Sequence, residues 1–245
     1  NPYGSTPATI SAPKSLSTAA TNLINAVAAA NPNTVVVLYT DNPVLTPWIG
    51  SVKSLLNMWF AGQEGGTSTA RVLLGQANPS GHTSITWPKN ATDTIWAYNQ
   101  PTPLYPGDTT GPHLERLNLG PNNTTTYSEG IFMGYRYYDK MGIEPQFAFG
   151  HGLSYSNFDY HNLMIKPQKD GTVNISFVIR NKSNVDGAAV PQVYVGPAPK
   201  APSYVQQAVR ALRGFERVEL KAREAKRVDL TLNLRSFQYW DEQTH

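Results

Sequence analysis

Five acids stand in settings where a carboxyl can do more than solvate a surface: Glu64, Glu115, Glu129, Asp139 and Glu144. Two such groups can share the work of proton donor and of base or nucleophile when their environments pull their proton affinities apart. Glu64 lies in Gly62-Gln63-Glu64-Gly65-Gly66, a glycine turn ahead of a helix, on the strand C-terminal edge where the ligands of α/β sheets gather. The helix dipole there favours the charged carboxylate, which argues against a general acid. Glu64 is therefore a low-weight catalytic candidate, and its ordinary reading is a helix-start or domain-interface residue. His151, between two glycines, can reach a backbone group or carboxylate across a domain seam, while its ordinary reading is a buried histidine satisfied by hydrogen bonds. Arg136, flanked by Tyr135 and Tyr137, is placed to clamp Glu129 or Asp139 as an aromatic-stacked ion pair. With no cysteine there is no thiol nucleophile or thiolate metal site. His82, His113, His161 and His245 show no metal-ligand spacing, and neither a phosphate loop nor a Ser-His-Asp set in motif context is present. No cofactor and no metal are expected.

The 245 residues suffice for one large core or two modest ones, and a change of pattern near residue 156 favours two. Hydrophobic content is an ordinary 40%, but charged residues make up only 15%. Glycans at the sequons Asn90, Asn122, Asn123, Asn174 and Asn181 would supply the missing hydration in a secreted, extracellular protein. The formal charge of +3 is small, and the basic run from Arg213 to Arg227 alternates with Glu216, Glu219 and Glu224 like a solvated strand face, so no nucleic-acid partner is expected. No apolar run approaches the roughly 18 residues of a membrane span, and no membrane partner is expected. The opening Asn1-Pro2 reads as a processed or cut end.

Apolar positions Leu16, Ala19, Ala20, Leu23, Ile24, Val27 and Ala28 fall at helical spacing, and Asn31-Pro32 ends that helix. Thr34–Thr40 is a β-branched run expected as a parallel strand buried on both faces, and Val52–Phe60 reads as a second buried strand, with helix the alternative for its first half. The glycine turn around Glu64 leads into a helix over Thr67–Leu74, closed by Gly75 and by Asn78-Pro79-Ser80-Gly81. Ile85–Pro88 reads as an exit strand, and residues 90–126, rich in proline, as a long loop. Beyond Ser156 the period becomes two, with strands expected at Tyr160–Lys166, Thr172–Arg180, Ala188–Gly196, Val209–Glu219 and Lys226–Leu234 and a further element starting at Phe237–Asp241. So few parallel strands leave a sheet uncovered, so the α/β part is expected to begin upstream of Asn1.

The stretch Tyr127-Ser-Glu-Gly-Ile-Phe-Met-Gly-Tyr-Arg-Tyr-Tyr-Asp139 and its continuation Phe149-Gly-His-Gly-Leu-Ser-Tyr155 resemble the C-terminal half of family 3 glycoside hydrolases, the β-glucosidase and β-xylosidase group. Trp59-Phe-Ala-Gly-Gln-Glu-Gly-Gly66, Val72–Gly75 and Asn78–Gly81 match a signature of that family's α/β domain which is not its catalytic pair. The resemblance implies the C-terminal part of an α/β sandwich domain over 1–100, a proline-rich loop and interdomain seam over 101–155 that includes Glu129, Arg136, Asp139 and His151, and a fibronectin-III-like β-sandwich over 156–245 lacking its last strand. It further implies a retaining exo-acting β-glycosidase whose nucleophilic aspartate, from a (β/α)8 barrel, and acid/base glutamate both lie outside this chain. Such enzymes set their two carboxyls about 5 to 5.5 Å apart. The partners implied are an oligosaccharide or aryl β-glycoside substrate and the N-terminal, barrel-bearing portion of the same enzyme, whether continuous or a separate chain. Trp48, Trp59, Trp87 and Trp96 can stack on sugar faces, although core packing is the default and only Trp96, in the polar loop, resists it. The alternative is a non-catalytic carbohydrate-binding or adhesion β-sandwich module.

Overall fold

The computed structural model describes residues 14–94 and 129–243. Of these, the residues up to Thr69 together with Ile85–Phe149 form one compact unit, and Ala70–Ser84 with the residues from Gly150 onward form the other.

In the first unit the helical spacing becomes α1 (Thr18–Ala30). Ser17 caps it by accepting a hydrogen bond from the Ala20 N–H at 3.2 Å, and extended Asn31 closes it through its own N–H to the Val27 carbonyl. Two short parallel pairs accompany it: β1 (Lys14–Ser15) with β3 (Val44–Leu45), and β2 (Val35–Leu38) with β4 (Ser54–Asn57). Burial on both faces, expected for β2, is not found. Val35 is 44% exposed, because among the described residues only β4 lies beside the strand. Leu38, Val44, Trp48 and Trp87 form the core, with Ile24 and Leu55 packed against it. Trp87 meets Trp59 edge-on at 6.0 Å and Phe147 edge-on at 5.7 Å. The expected exit strand over Ile85–Pro88 reduces to a single bridge between Trp87 and Phe147, since Pro88 has no N–H to extend a ladder. The glycine turn opens α2 (Gly65–Leu73), and α3 (Tyr135–Met141) ends on Gly142 in the left-handed conformation.

The second unit is antiparallel. A three-stranded sheet runs in the order β11 (Ala225–Leu232), β6 (Val173–Asn181), β5 (Phe158–Pro167). Alternate residues Ile175, Phe177 and Ile179 of β6 enter the core with Val228 and Leu232, which is the period-two pattern realised. Opposite lie two ribbons, β7 (Gly187–Ala189) with β10 (Val218–Leu220) and β8 (Gln192–Val195) with β9 (Ala211–Phe215). The sequence pattern joins β7 to β8 and β9 to β10. Pro191 breaks the first run by lacking a ladder donor, and Glu216 breaks the second directly across from it, its N–H reaching the Pro191 carbonyl at 3.3 Å. The element expected from Phe237 is not a strand. Leu234–Phe237 make one 3-10 turn capped by Asn233, whose side chain accepts from the Ser236 N–H.

Candidate functional site

The C-terminal ends of β2 and β4 lie side by side because the strands are parallel and in register, Leu38 opposite Asn57. Open α/β sheets bind ligands at this end. From β2 come Tyr39, Thr40 and Asp41; from β4 come Asn57, Trp59, Phe60 and then the turn carrying Glu64. Tyr39 reaches over to the start of α2. Its hydroxyl shares a 2.5 Å hydrogen bond with the Thr69 hydroxyl and donates to the Gly65 carbonyl at 3.2 Å. A side chain on Gly65 would stand 3.0 Å from the Ala61 Cβ, so the glycine allows the turn to close under the tyrosine ring. The Thr40 hydroxyl donates to Asn57 Oδ1 at 3.3 Å and leaves Asn57 Nδ2 buried without a partner.

Trp59 carries a feature that sequence periodicity does not announce. Its φ is +48°, a left-handed value that a bulky side chain rarely adopts and that costs about 1–3 kcal/mol. The half-buried indole packs on Trp87, while the next residue, Phe60, stands 83% exposed. Leaving a phenylalanine in water forgoes about 1.5–3 kcal/mol of burial. Two costs therefore coincide at one strand end, where strain is characteristically kept for binding.

Glu64 is exposed just ahead of α2. Its carbonyl accepts from the Ser68 N–H at 2.8 Å, and its carboxylate makes no hydrogen bond or ion pair among the described residues. Glu129 is buried, 8% exposed, with Oε2 lacking a hydrogen-bond partner among the described residues, and its carbonyl accepts from the Phe132 N–H at 3.1 Å. The expected clamp from Arg136 is not made. Its Nε is buried without a partner among the described residues, no hydrogen bond or ion pair joins it to Glu129 or Asp139, and its guanidinium carbon lies 5.9 Å from the Tyr135 ring centroid. Arg136 and Asp139 both sit on α3, half-buried, three residues apart. Burial, reinforced by the charge of Asp93 and by Tyr137, pushes the Tyr138 hydroxyl well above the ordinary tyrosine range.

His151 belongs to the second unit, and it is exposed rather than buried as expected. A short backbone ladder holds it. The Thr83 N–H donates to the His151 carbonyl at 2.8 Å, the His151 N–H donates to Thr83 Oγ1 at 3.1 Å, and the Gly150 N–H donates to the Thr83 carbonyl at 2.7 Å. Partial desolvation of the ring, and then the charge of His82, lower its proton affinity.

Asn78 is a residue whose role the sequence left unassigned. Its Nδ2 donates to Ser156 Oγ at 2.9 Å and to the Asp186 carbonyl at 2.8 Å, and its Oδ1 accepts from Ser154 Oγ and the Tyr155 N–H, both at 2.8 Å. A Cβ on Gly187 would stand 2.7 Å from Ser156 Oγ and 2.9 Å from Asn78 Nδ2. The Asn-Pro-Ser-Gly signal marks the turn, but the partners lie 76 to 108 residues away in sequence. Beside it opens a cleft of about 290 Å³ lined by Asp186, Arg217, Glu219, Lys221 and Glu224 among others. Its charges neutralise one another, Arg217 with Glu219 at 2.6 Å and Lys221 with Asp186 at 2.9 Å, on an open surface.

The sequons divide. Asn181 is fully buried, and its Nδ2 donates to the carbonyls of Val185 at 2.8 Å and Lys221 at 3.1 Å, so a glycan at Asn181 is incompatible with this fold. Asn90 is exposed, capping the 3-10 turn at Ala91–Asp93, and Asn174 is exposed on β6 with Oδ1 accepting from Thr231. Asn122, Asn123, Glu115 and Trp96 lie outside the described residues. Among the described residues no group of three or more His, Cys, Asp or Glu side chains is placed to hold a metal ion, and no helix is long and apolar enough to cross a membrane.

The glycosyl hydrolase family 3 C-terminal domain model matches residues 9–135, and the fibronectin type III-like domain model matches residues 189–245. The thermostable beta-glucosidase B of Acetivibrio thermocellus is 38% identical over 224 residues, covering 90% of this chain and 27% of that protein. A probable beta-glucosidase J of Aspergillus fumigatus is 36% identical over 228 residues, covering 90% of this chain and 24% of that protein. Among solved structures, DesR, a beta-glucosidase from Streptomyces venezuelae in complex with D-glucose, superposes with a TM-score of 0.82 at 38% identity, over 94% of this chain and 27% of that one. The chain thus spans about a quarter of the length of the curated relatives that it matches.

Proposed function

The chain belongs to glycosyl hydrolase family 3, whose C-terminal domain it carries, and from that premise we propose that it completes the sugar pocket of a retaining, exo-acting β-glycosidase. The intact enzyme removes terminal β-linked glucose or xylose, with its nucleophilic aspartate and acid/base glutamate supplied from outside this chain. One observation carries the reading. The end of the parallel pair β2 and β4 at which open α/β sheets bind ligands presents exposed Tyr39, Phe60 and Glu64, in a chain that spans about a quarter of its beta-glucosidase relatives. Secretion, with glycans on exposed Asn90 and Asn174, is part of the same proposal.

The isolated chain is expected to show no turnover of an aryl β-glucoside, and mixing with the upstream, barrel-bearing portion is expected to restore it. Turnover by the isolated chain overturns the proposal. Oligosaccharide affinity of the isolated chain that is lost on Trp96→Ala points to a non-catalytic carbohydrate-binding module instead.

A further inference from the structure

We propose that the crossing of residues 81–83 over residues 150–152 is an acid-released clasp: when His82 and His151 both carry a proton, their repulsion opens the ladder at Thr83 while the Asn78 contacts and the sandwich hold. The proposal concerns the second unit alone and does not rest on the reading of the chain as part of a sugar pocket. Three hydrogen bonds make the ladder. The Thr83 N–H donates to the His151 carbonyl at 2.8 Å, the Gly150 N–H to the Thr83 carbonyl at 2.7 Å, and the His151 N–H to Thr83 Oγ1 at 3.1 Å. Gly152 lets the two stretches meet, since a Cβ there would press on the Gly81 carbonyl oxygen and stand 3.0 Å from Cγ of the His82 ring. The His82 imidazole therefore lies against the residue that follows His151. A further bond fixes that ring, with Nδ1 3.0 Å from the Ser80 carbonyl oxygen. The oxygen can only accept, which assigns the proton of the neutral imidazole to Nδ1 and leaves Nε2 to take up the second proton.

The charged groups about the crossing lean positive. Ser80 Oγ accepts from Arg217 Nη2 at 3.3 Å, and Arg217 Nη1 pairs with Glu219 at 2.6 Å. On the other side Gln192 Nε2 donates to the Gly150 carbonyl at 3.4 Å, Gln192 Oε1 accepts from the Tyr194 hydroxyl, and the Arg210 guanidinium carbon lies 5.6 Å from the Tyr194 ring centroid. Arg210 and Arg217 thus add to the two histidines, and Glu219 offsets one of the four. In the closed form, partial desolvation of the His151 ring and then the His82 charge lower its proton affinity. Opening returns the ring to water, so below about pH 6.5 the open form takes up the proton more readily than the closed one. The clasp is shut at neutral pH and weakens as pH falls through the ordinary histidine range.

Hydrogen exchange of the intact protein at pH 7.5 and pH 5, corrected for the intrinsic dependence of exchange on pH, tests this. On acidification the Thr83 and Gly150 amides are expected to lose about two- to fivefold more protection than the amides of β6, the size of an interaction between two exposed charges. The Tyr155 amide, which donates to Asn78 Oδ1 at 2.8 Å, is expected to follow β6. The extra loss is expected to vanish in His82→Gln and in His151→Gln, and to shrink in about 0.5 M salt, which screens the pair. Protection of β6 within each variant is the reference, so a change in overall stability does not mimic the effect. An equal acid loss at Thr83, Tyr155 and β6 overturns the proposal, because the whole sandwich then responds. An extra loss at Thr83 that survives in either glutamine variant overturns it too, because the histidine pair is then not its cause.

Discussion

A histidine whose folded state resists protonation makes stability depend on acidity, and His151 is such a residue. Partial desolvation and the neighbouring His82 charge lower its proton affinity below that of the unfolded chain. As pH falls below about 6.5 the unfolded state takes up the proton first. The contribution is therefore complete above that value and is lost as pH falls towards the depressed folded value. Because the residue is exposed, the effect is small. Thermal melts at pH 7.5 and pH 5 are expected to show a smaller acid-induced loss in His151→Gln than in the parent, and parallel losses would remove the histidine from the account. Residue identity alone led to the expectation of a buried histidine here. The chain instead uses the flanking glycines for the backbone: a Cβ on Gly152 would stand 2.3 Å from the Gly81 carbonyl oxygen, so the glycine permits the ladder and leaves the ring outside. Asn181 misleads in the opposite direction. Its sequon suggests a surface position, but it closes β6 at 0% exposure and serves as a donor to backbone carbonyls.

At the scale of elements, the loop Asn78–Gly81 and the strand start at Gly187 are fitted to each other. Asn78 spends its full donor and acceptor capacity on Ser154, Tyr155, Ser156 and Asp186. Asn78→Ala is expected to cost about 2–3 kcal/mol in denaturant unfolding of the chain, as several half-buried partners lose their bonds at once. Gly187→Ala is expected to cost about 1–3 kcal/mol by overpacking against Ser156. Additivity of the two would show that they act separately, whereas a double variant no worse than the poorer single one is the outcome expected of one shared contact. Pattern made most of the elements legible: α1, the parallel strands β2 and β4 and the period-two strands beyond Ser156 follow from apolar spacing, and the turn into α2 from its glycines, whereas the two-residue strands β1 and β3 carry no such signal. Their interruptions were less legible. Pro191 is a visible stop inside an apparent strand, but the matching break at Glu216 depends on a partner 25 positions away. The left-handed residue Trp59, two positions beyond the end of β4 at Asn57, has no glycine to signal it.

At the scale of the whole molecule, the second unit is discontinuous in sequence: Ala70–Ser84 packs with the residues from Gly150 onward. Backbone bonds from Thr83 to His151 and from Gly150 to Thr83, with the Tyr155 hydroxyl donating to the Val72 carbonyl at 2.8 Å, bind the segment to the sandwich. Such bonds exchange their protons when the structure around them opens, so exchange reports which cooperative unit a segment belongs to. Ile179, fully buried on β6, is the place to weaken the sandwich, and Ile179→Ala is expected to remove about 2–5 kcal/mol there. If residues 70–84 share the stability of the sandwich, the amides of Thr83 and Gly150 exchange faster in that variant by the same factor as the amides of β6. Exchange at Thr83 that stays at the parent rate while β6 accelerates would assign the segment to a different cooperative unit, and the Asn78 contacts would then be those of a loop resting on the sandwich rather than a part of it.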